Sequence, residues 1–516
     1  MEKKKTRTEY SMLNMMVGIG GYVLNTLFAF AVRIVFTRCL PKQYLGLSGL
    51  ISNYLSILSL AELGIGSAIV YALYKPVAED DQQKVASYMH SYRIAYRIIG
   101  VIVAVLGLIS LPFLQFIVGS DFPKDENIIL IYFIFLSSTV LGYFYNHRIS
   151  LLIAYQKQYV VSGISYILSI MTSILQIIVL VSTKNYIAYL IVFLLSSVMN
   201  AIVIIAITNK EYPFIKNKHI ERINKEEKRA LYKNIKRITV YKLSGVLVNH
   251  TDNLVLTYFA GLTITGLASN YTLLTNTLSS LIRQLFGSIT ASVGNMNALE
   301  NTDRQYELFK ALNLANFWFY GWASIGVAFV STDLVALLFG PDYTLEFKIS
   351  MMLAINLYMV GMQNTVWTFK NTKGLFKYGQ YILFATAALN IIGDIVLGKM
   401  LGVFGIYLAT AVARLFTNTW YEPYAVFRIA FDKNPRIYFR RYILFVLILT
   451  GTGSICGLLC SIIHYSYAIN VLMKVIICSL VPNCIFYMLF RKKADFSYLK
   501  SRILNGLTLM RNKKTT

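Results

Sequence analysis

Apolar residues along this chain do not alternate with polar ones. They come in runs of about twenty, broken by short stretches of charge, proline or glycine. At 1.5 Å of rise per residue, such a run spans the roughly 30 Å hydrocarbon layer of a bilayer. About fourteen runs emerge, so the pattern predicts an all-α polytopic membrane protein with about 14 transmembrane helices. The first run, from Met12 into the region of Val32, follows a basic segment as a secretory signal would, but it is too long for a signal and reads as a retained helix. The longest connection, Thr208 to Arg237, is basic and polar and falls midway through the first twelve runs. It divides the chain into a six-helix lobe, 1–210, a linker loop, 211–237, a second six-helix lobe, 238–424, and two extra helices with a basic tail, 425–516. Gly46-Leu47 and Ser52-Asn53-Tyr54 recur as Gly266-Leu267 and Ser269-Asn270-Tyr271, an echo that either duplication or chance would produce.

Composition confirms lipid as the main solvent: 56% of the 516 residues are hydrophobic and only 14% are charged. Lys and Arg number 49 against 24 Asp and Glu, an excess that would suggest nucleic acid in a soluble protein. Here most of the excess falls on one alternate set of loops, which the positive-inside rule explains and which places both termini in the cytoplasm of a cytoplasmic-membrane protein. Five cysteines and five histidines are scattered without metal-ligand spacing, so neither a disulfide framework, a metal nor a cofactor is expected. There is no GxxxxGK[ST] loop, HExxH or GxSxG, which removes ATP-driven transport and the common hydrolases from consideration.

Candidate chemistry therefore lies within the spans. Ser48, Ser52, Ser56, Ser59, Glu62 and Gly66 follow one another at helical steps on the second run. Asn276, Ser280, Arg283, Gly287, Thr290 and Gly294 do so on the eighth, Lys242, Gly245, Asn249 and Asp252 on the seventh, and Thr410, Arg414, Asn418 and Glu422 on the twelfth. Small and hydroxyl residues in such rows also serve close helix packing. The ionisable members Arg33, Glu62, Asp252, Arg283 and Arg414 are costly in hydrocarbon unless they face water, a ligand or one another in static ion pairs. Asp394 and Lys474 are placed near enough to span ends to snorkel. Arginine grips phosphate oxygens with a planar fork and stays charged at low dielectric, so Arg33, Arg283 and Arg414 suit a diphosphate. Asn276, Ser280, Asn249, Ser52 and Ser56 suit sugar hydroxyls, and the carboxylates of Glu62 and Asp252 suit coupling to a proton or sodium ion.

The stretches RIVFTRCLPKQYLGL (Arg33–Leu47), LSLAELGIGSA (Leu58–Ala68), VNHTDN (Val248–Asn253) and ASVGN (Ala291–Asn295) resemble the polysaccharide-transporter branch of the MOP exporter superfamily. That branch includes flippases of undecaprenyl-diphosphate-linked oligosaccharides. The resemblance implies a two-lobed, V-shaped helical protein, related to the MATE multidrug exporters, that works by alternating access. Its implied role is to carry a lipid-diphosphate-linked oligosaccharide from the cytoplasmic to the outer leaflet for capsule, exopolysaccharide or other surface glycan assembly, as a transporter and not an enzyme. Two other readings compete. A cation-coupled MATE exporter would favour a carboxylate-rich cavity and few buried arginines. A membrane glycan polymerase or ligase would call for a substantial external catalytic loop, which no connection here supplies.

Overall fold

The computed structural model describes residues 7–59, 65–114, 118, 127–216, 229, 251–286, 302–373, 375 and 378–501. Glu62, Lys242, Gly245, Asn249, Gly287, Thr290 and Gly294 lie outside the described residues, as do 217–228 and 230–237 of the linker. The described residues are helical, without strands. In chain order the helices are α1 (Arg7–Cys39), α2 (Gln43–Leu58), α3 (Ile65–Ala78), α4 (Gln82–Ile109), α5 (Ile128–Ala154), α6 (Gln158–Thr183) and α7 (Tyr186–Glu211). There follow α8 (251–286), α9 (Thr302–Phe339), α10 (Phe347–Thr372), α11 (Gln380–Leu401), α12 (Val403–Phe416), α13 (Asn418–Ala425), α14 (Arg436–Cys460) and α15 (Tyr467–Phe490).

Local chemistry sets the boundaries. Asp81, Asn127 and Asn185 precede α4, α5 and α7, and their side chains accept the orphan amides of Lys84 (2.9 Å), Leu130 (3.1 Å) and Ala188 (2.9 Å). Pro41 stops α1, and Gly340 and Gly402, with φ of 108° and 61°, supply the left-handed turns after α9 and α11. Within α8 the chain folds back at Gly261, where φ is 81°. Eight residues of straight helix would hold Thr257 and Thr265 about 12 Å apart, yet their hydroxyls are 3.1 Å from each other.

Among the described residues nine helices are each long and apolar enough to cross a membrane, and the protein is a multi-pass membrane protein. Their outward surfaces are apolar: Leu27, Ile109, Leu447 and Leu472 are 61%, 60%, 64% and 61% exposed, a pattern that lipid, not water, would stabilise. The twelfth of the anticipated spans is built from two helices, broken at Thr417 (φ −125°, ψ −89°) into α12 and α13. The described parts of the second are α2 and α3, and 60–64 lie outside the described residues.

The chain forms two compact units, Met1–Gly266 and Leu267–Thr516. In the first, α5 packs against α4, α7 and α3, and α1 against α6. Its core is unusually rich in tyrosine, with Tyr92, Tyr96 and Tyr143 buried beside Ile69, Leu73, Val103 and Leu151. Gly46 of α2 lies so close to the Leu262 backbone that no side chain fits there. In the second unit α9 runs between α10 and the α14–α15 pair. Phe317 stacks on Phe445 at 4.2 Å, and Trp318 donates to Asn483 Oδ1 at 2.6 Å, which fastens α14 and α15 to α9.

Candidate functional site

The first unit holds an open cavity of about 950 Å³ bounded by α2, α3, α4, α5 and α7. Ser52, Ser56 and Ser59 enter it from α2, Gly66, Tyr71 and Tyr74 from α3, and Thr139, Asn146 and Ser150 from α5. Gly66, the last member of the predicted row, lines the same cavity from α3. Ser56 Oγ donates to the Ser52 carbonyl and Ser59 Oγ to that of Leu55, each at 2.8 Å. Each hydroxyl is thereby anchored to its own helix and keeps acceptor capacity for the cavity. Arg33 is half-buried on α1 and does not line this space; its charge acts on Tyr189 of α7. Asp252, half-buried near the start of α8, also lies away from the lining.

In the second unit α8 presents the predicted trio. Asn276 and Arg283 are exposed and Ser280 is half-buried, at steps of four and three along one face. Arg283 Nη2 donates to Ser280 Oγ at 2.9 Å, and its charge also acts on Tyr320 of α9. No carboxylate pairs with Arg283 among the described residues. Its fork retains donors for an anion.

The row on the twelfth run is divided. Arg414 ends α12 half-buried, whereas Glu422 on α13 turns inward to Lys370. Lys370 Nζ donates to Glu422 Oε1 at 2.7 Å with both side chains sealed from solvent, and the Trp367 indole donates to Oε2. Thr410 and Asn418 face α11: Asn390 donates to Thr410 at 3.3 Å, and Thr386 to Asn418 at 3.1 Å. These polar residues bind helix to helix.

Two expectations of snorkelling are corrected. Asp394 is fully buried and accepts from Asn390 at 3.0 Å. Lys474 pairs with Asp333 on α9 at 2.6 Å, next to Asn470. In both cases a partner on a helix offsets the desolvation that a trip to the interface would otherwise avoid. The steps of four through Thr386, Asn390 and Asp394 were a readable signal for this buried strip.

A second cavity, about 810 Å³ and almost wholly apolar, escaped the sequence reading. Phe329, Met351, Ile355, Tyr358, Leu449 and Leu458 line it, with Gly453 and Gly457 opening the α14 side. The two glycines, one turn apart on an apolar helix, were the available clue. Its lining suits a hydrocarbon chain.

Comparison with known proteins places this architecture. The solved structure of the lipid II flippase MurJ in an inward closed conformation superposes with a TM-score of 0.60 at 15% identity, over 91% of this chain and 99% of that one. An inward-facing MATE family transporter of the MOP superfamily gives 0.58 at 15% identity, over 76% and 91%. The Vibrio cholerae MATE transporter VcmN gives 0.54 at 14%, over 83% and 99%. At such identities the likeness establishes the fold, which is that of MurJ and the MATE transporters. An uncharacterized membrane protein of Methanocaldococcus jannaschii is 23% identical over 409 residues, 75% of this chain and 78% of the relative. The family model described as polysaccharide biosynthesis protein matches residues 12–293. That match takes in more than half of the chain, and the chain belongs to the polysaccharide biosynthesis protein family.

Proposed function

We propose that this protein is a flippase that carries a polyprenyl-diphosphate-linked oligosaccharide, of the undecaprenyl type, from the cytoplasmic to the outer leaflet of the cytoplasmic membrane by alternating access. The observation that carries the reading is Arg283: an exposed guanidinium on a polar helix face, fixed by Ser280 and without a carboxylate partner among the described residues. Such a group offers paired N–H donors to phosphate oxygens, and Asn276 one further turn along offers an amide to the adjoining sugar. The hydroxyl-lined cavity and the apolar cavity supply the two other chemistries of the substrate, sugar and hydrocarbon. The resemblance of the fold to a flippase and the family's link to polysaccharide synthesis support the same choice.

In this reading Arg33 and Arg414 assist with the diphosphate, Asn249, Ser52 and Ser56 with the glycan, and Glu62 and Asp252 couple movement to a proton or sodium gradient. The lobes are 1–210 and 238–424, joined through 211–237 and followed by the helix pair of 425–516, with both termini cytoplasmic. The test is flipping of a labelled lipid-diphosphate oligosaccharide in vesicles at matched protein levels. Arg283→Ala is expected to abolish flipping, and Arg283→Lys, which keeps the charge and loses the fork, to lower it markedly. Full activity of Arg283→Ala sinks the assignment, and full rescue by lysine reduces Arg283 to a point charge. Unaltered gradient dependence in both Glu62→Gln and Asp252→Asn would move coupling elsewhere.

A further inference from the structure

Three arginines of the first unit gather around one buried histidine. Arg93 and Arg97 lie on α4 and Arg148 on α5; all three act electrostatically on the ring of His147, and Arg93 acts on Arg148. Arg93 and Arg97 lie near the middle of α4, and Arg148 lies six residues before the end of α5. Arg148 donates to Thr208 Oγ1 at 2.9 Å and to Asn209 Oδ1 at 2.8 Å in the last turns of α7.

Among the described residues no carboxylate pairs with any of the three arginines. Glu211, the acid next along α7, is occupied by Lys157 at 2.5 Å. Arg93 Nη2 donates to His90 Nδ1 at 3.1 Å, and its Nε is buried without a hydrogen-bond partner. His147 is 4% exposed and its Nδ1 has no partner either. The positive-inside rule accounts for basic residues near one face of a membrane. It does not account for three that crowd together, beside buried polar atoms with unmet hydrogen-bonding capacity and with no counter-ion among the described residues.

The surroundings say what kind of anion fits. Ile94 and Ile98 flank Arg97, and Phe144 precedes Arg148 by one turn; all three are exposed apolar side chains. On α5 the cavity-lining Thr139, Asn146 and Ser150 occupy the opposite side of the helix from Arg148, and Arg97 is exposed beside Ile94 and Ile98 on α4. Arg148 lies about 9 Å from the end of α5, near the layer where headgroup phosphates sit.

We propose that Arg93, Arg97 and Arg148 form a binding site for the phosphate of an anionic membrane lipid on the outer wall of the first unit. The guanidinium forks of Arg93 and Arg97 take the phosphate oxygens, Arg148 holds the seat against α7, and the acyl chains lie along Ile94, Ile98 and Phe144. The site is separate from the transported substrate and does not depend on its identity.

Native mass spectrometry of the full chain, released from phosphatidylcholine nanodiscs with and without phosphatidylglycerol, tests it. Wild type is expected to retain phosphatidylglycerol. The Arg93→Gln/Arg97→Gln variant should retain it about tenfold less or worse, since charge-assisted phosphate contacts are lost. Neither of those side chains hydrogen-bonds to another helix among the described residues, so the variant should fold. Arg440→Gln/Arg491→Gln, at exposed arginines elsewhere, serves as the charge-matched control and should retain the lipid as wild type does. Equal retention in the α4 variant, or equal loss in the control, overturns the proposal. Displacement of the lipid by inorganic pyrophosphate at equal concentration reassigns the cluster to a soluble anion and overturns the lipid seat.

Discussion

The Lys370–Glu422 pair offers the sharpest test of how the second unit is held together. Its atoms are 2.7 Å apart and the side chains are 1% and 0% exposed. At an effective dielectric of ~20 the attraction at that distance is ~6 kcal/mol, set against desolvation of both ions. The net worth of the intact pair is therefore small, whereas removal of one partner strands a charge and costs about 3–5 kcal/mol. Lys370→Met leaves the carboxylate with the Trp367 indole alone, and Glu422→Gln leaves the ammonium facing a neutral amide. The double variant Lys370→Met/Glu422→Gln strands no charge and keeps an acceptor for the indole, so it should recover most of the loss, with a coupling of about 3 kcal/mol between the sites. Thermal unfolding of the purified protein in detergent, followed by the loss of the monodisperse peak in size-exclusion chromatography, compares all four proteins. Both single variants should unfold at clearly lower temperature and the double variant close to wild type. A double variant as unstable as the two single effects added together would refute the reasoning, since additivity means the residues do not neutralise each other. So would single variants indistinguishable from wild type.

Three further outcomes follow from the geometry. Gly46→Val should prevent accumulation of folded protein, measured by the same chromatography, because its side chain would collide with the Leu262 backbone, which cannot rotate away. Trp318→Phe should cost about 1–2 kcal/mol in unfolding free energy by removing the donor to Asn483 Oδ1, and Asn483→Leu in the same background should add little more. Single cysteines introduced at Lys348 should react with an impermeant maleimide in sealed cells, while those at Lys225 and Lys513 should not; labelling at Lys225 would reverse the orientation on which the direction of transport rests.

Length and composition of the apolar runs were enough to specify an all-helical, multi-pass protein, because the backbone in lipid has to satisfy its own hydrogen bonds and a bilayer sets the run length. Helical spacing also located Ser52 and Ser56 on one cavity and Ser280 beside Arg283, since residues three and four apart share a face whatever the helix later packs against. Spacing could not say which polar rows stay open. Glu422 shares its row with Arg414, but the break at Thr417 re-aims α13 and gives the carboxylate to Lys370, 52 residues earlier in the chain. Asp394 and Lys474 likewise have partners, Asn390 and Asp333, and for Lys474 the partner is 141 residues away along the chain. The apolar cavity is made by α9, α10, α12 and α14 together, so no single helix announces it. The arginines of α4 and α5 read from the sequence as ordinary topology signals; only the packing of α4, α5 and α7 shows that they meet without a counter-ion among the described residues. The division has one physical cause. Burial periodicity and bilayer thickness act on consecutive residues, whereas charge pairing and cavities depend on which distant helices come into contact, and that is decided by tertiary packing.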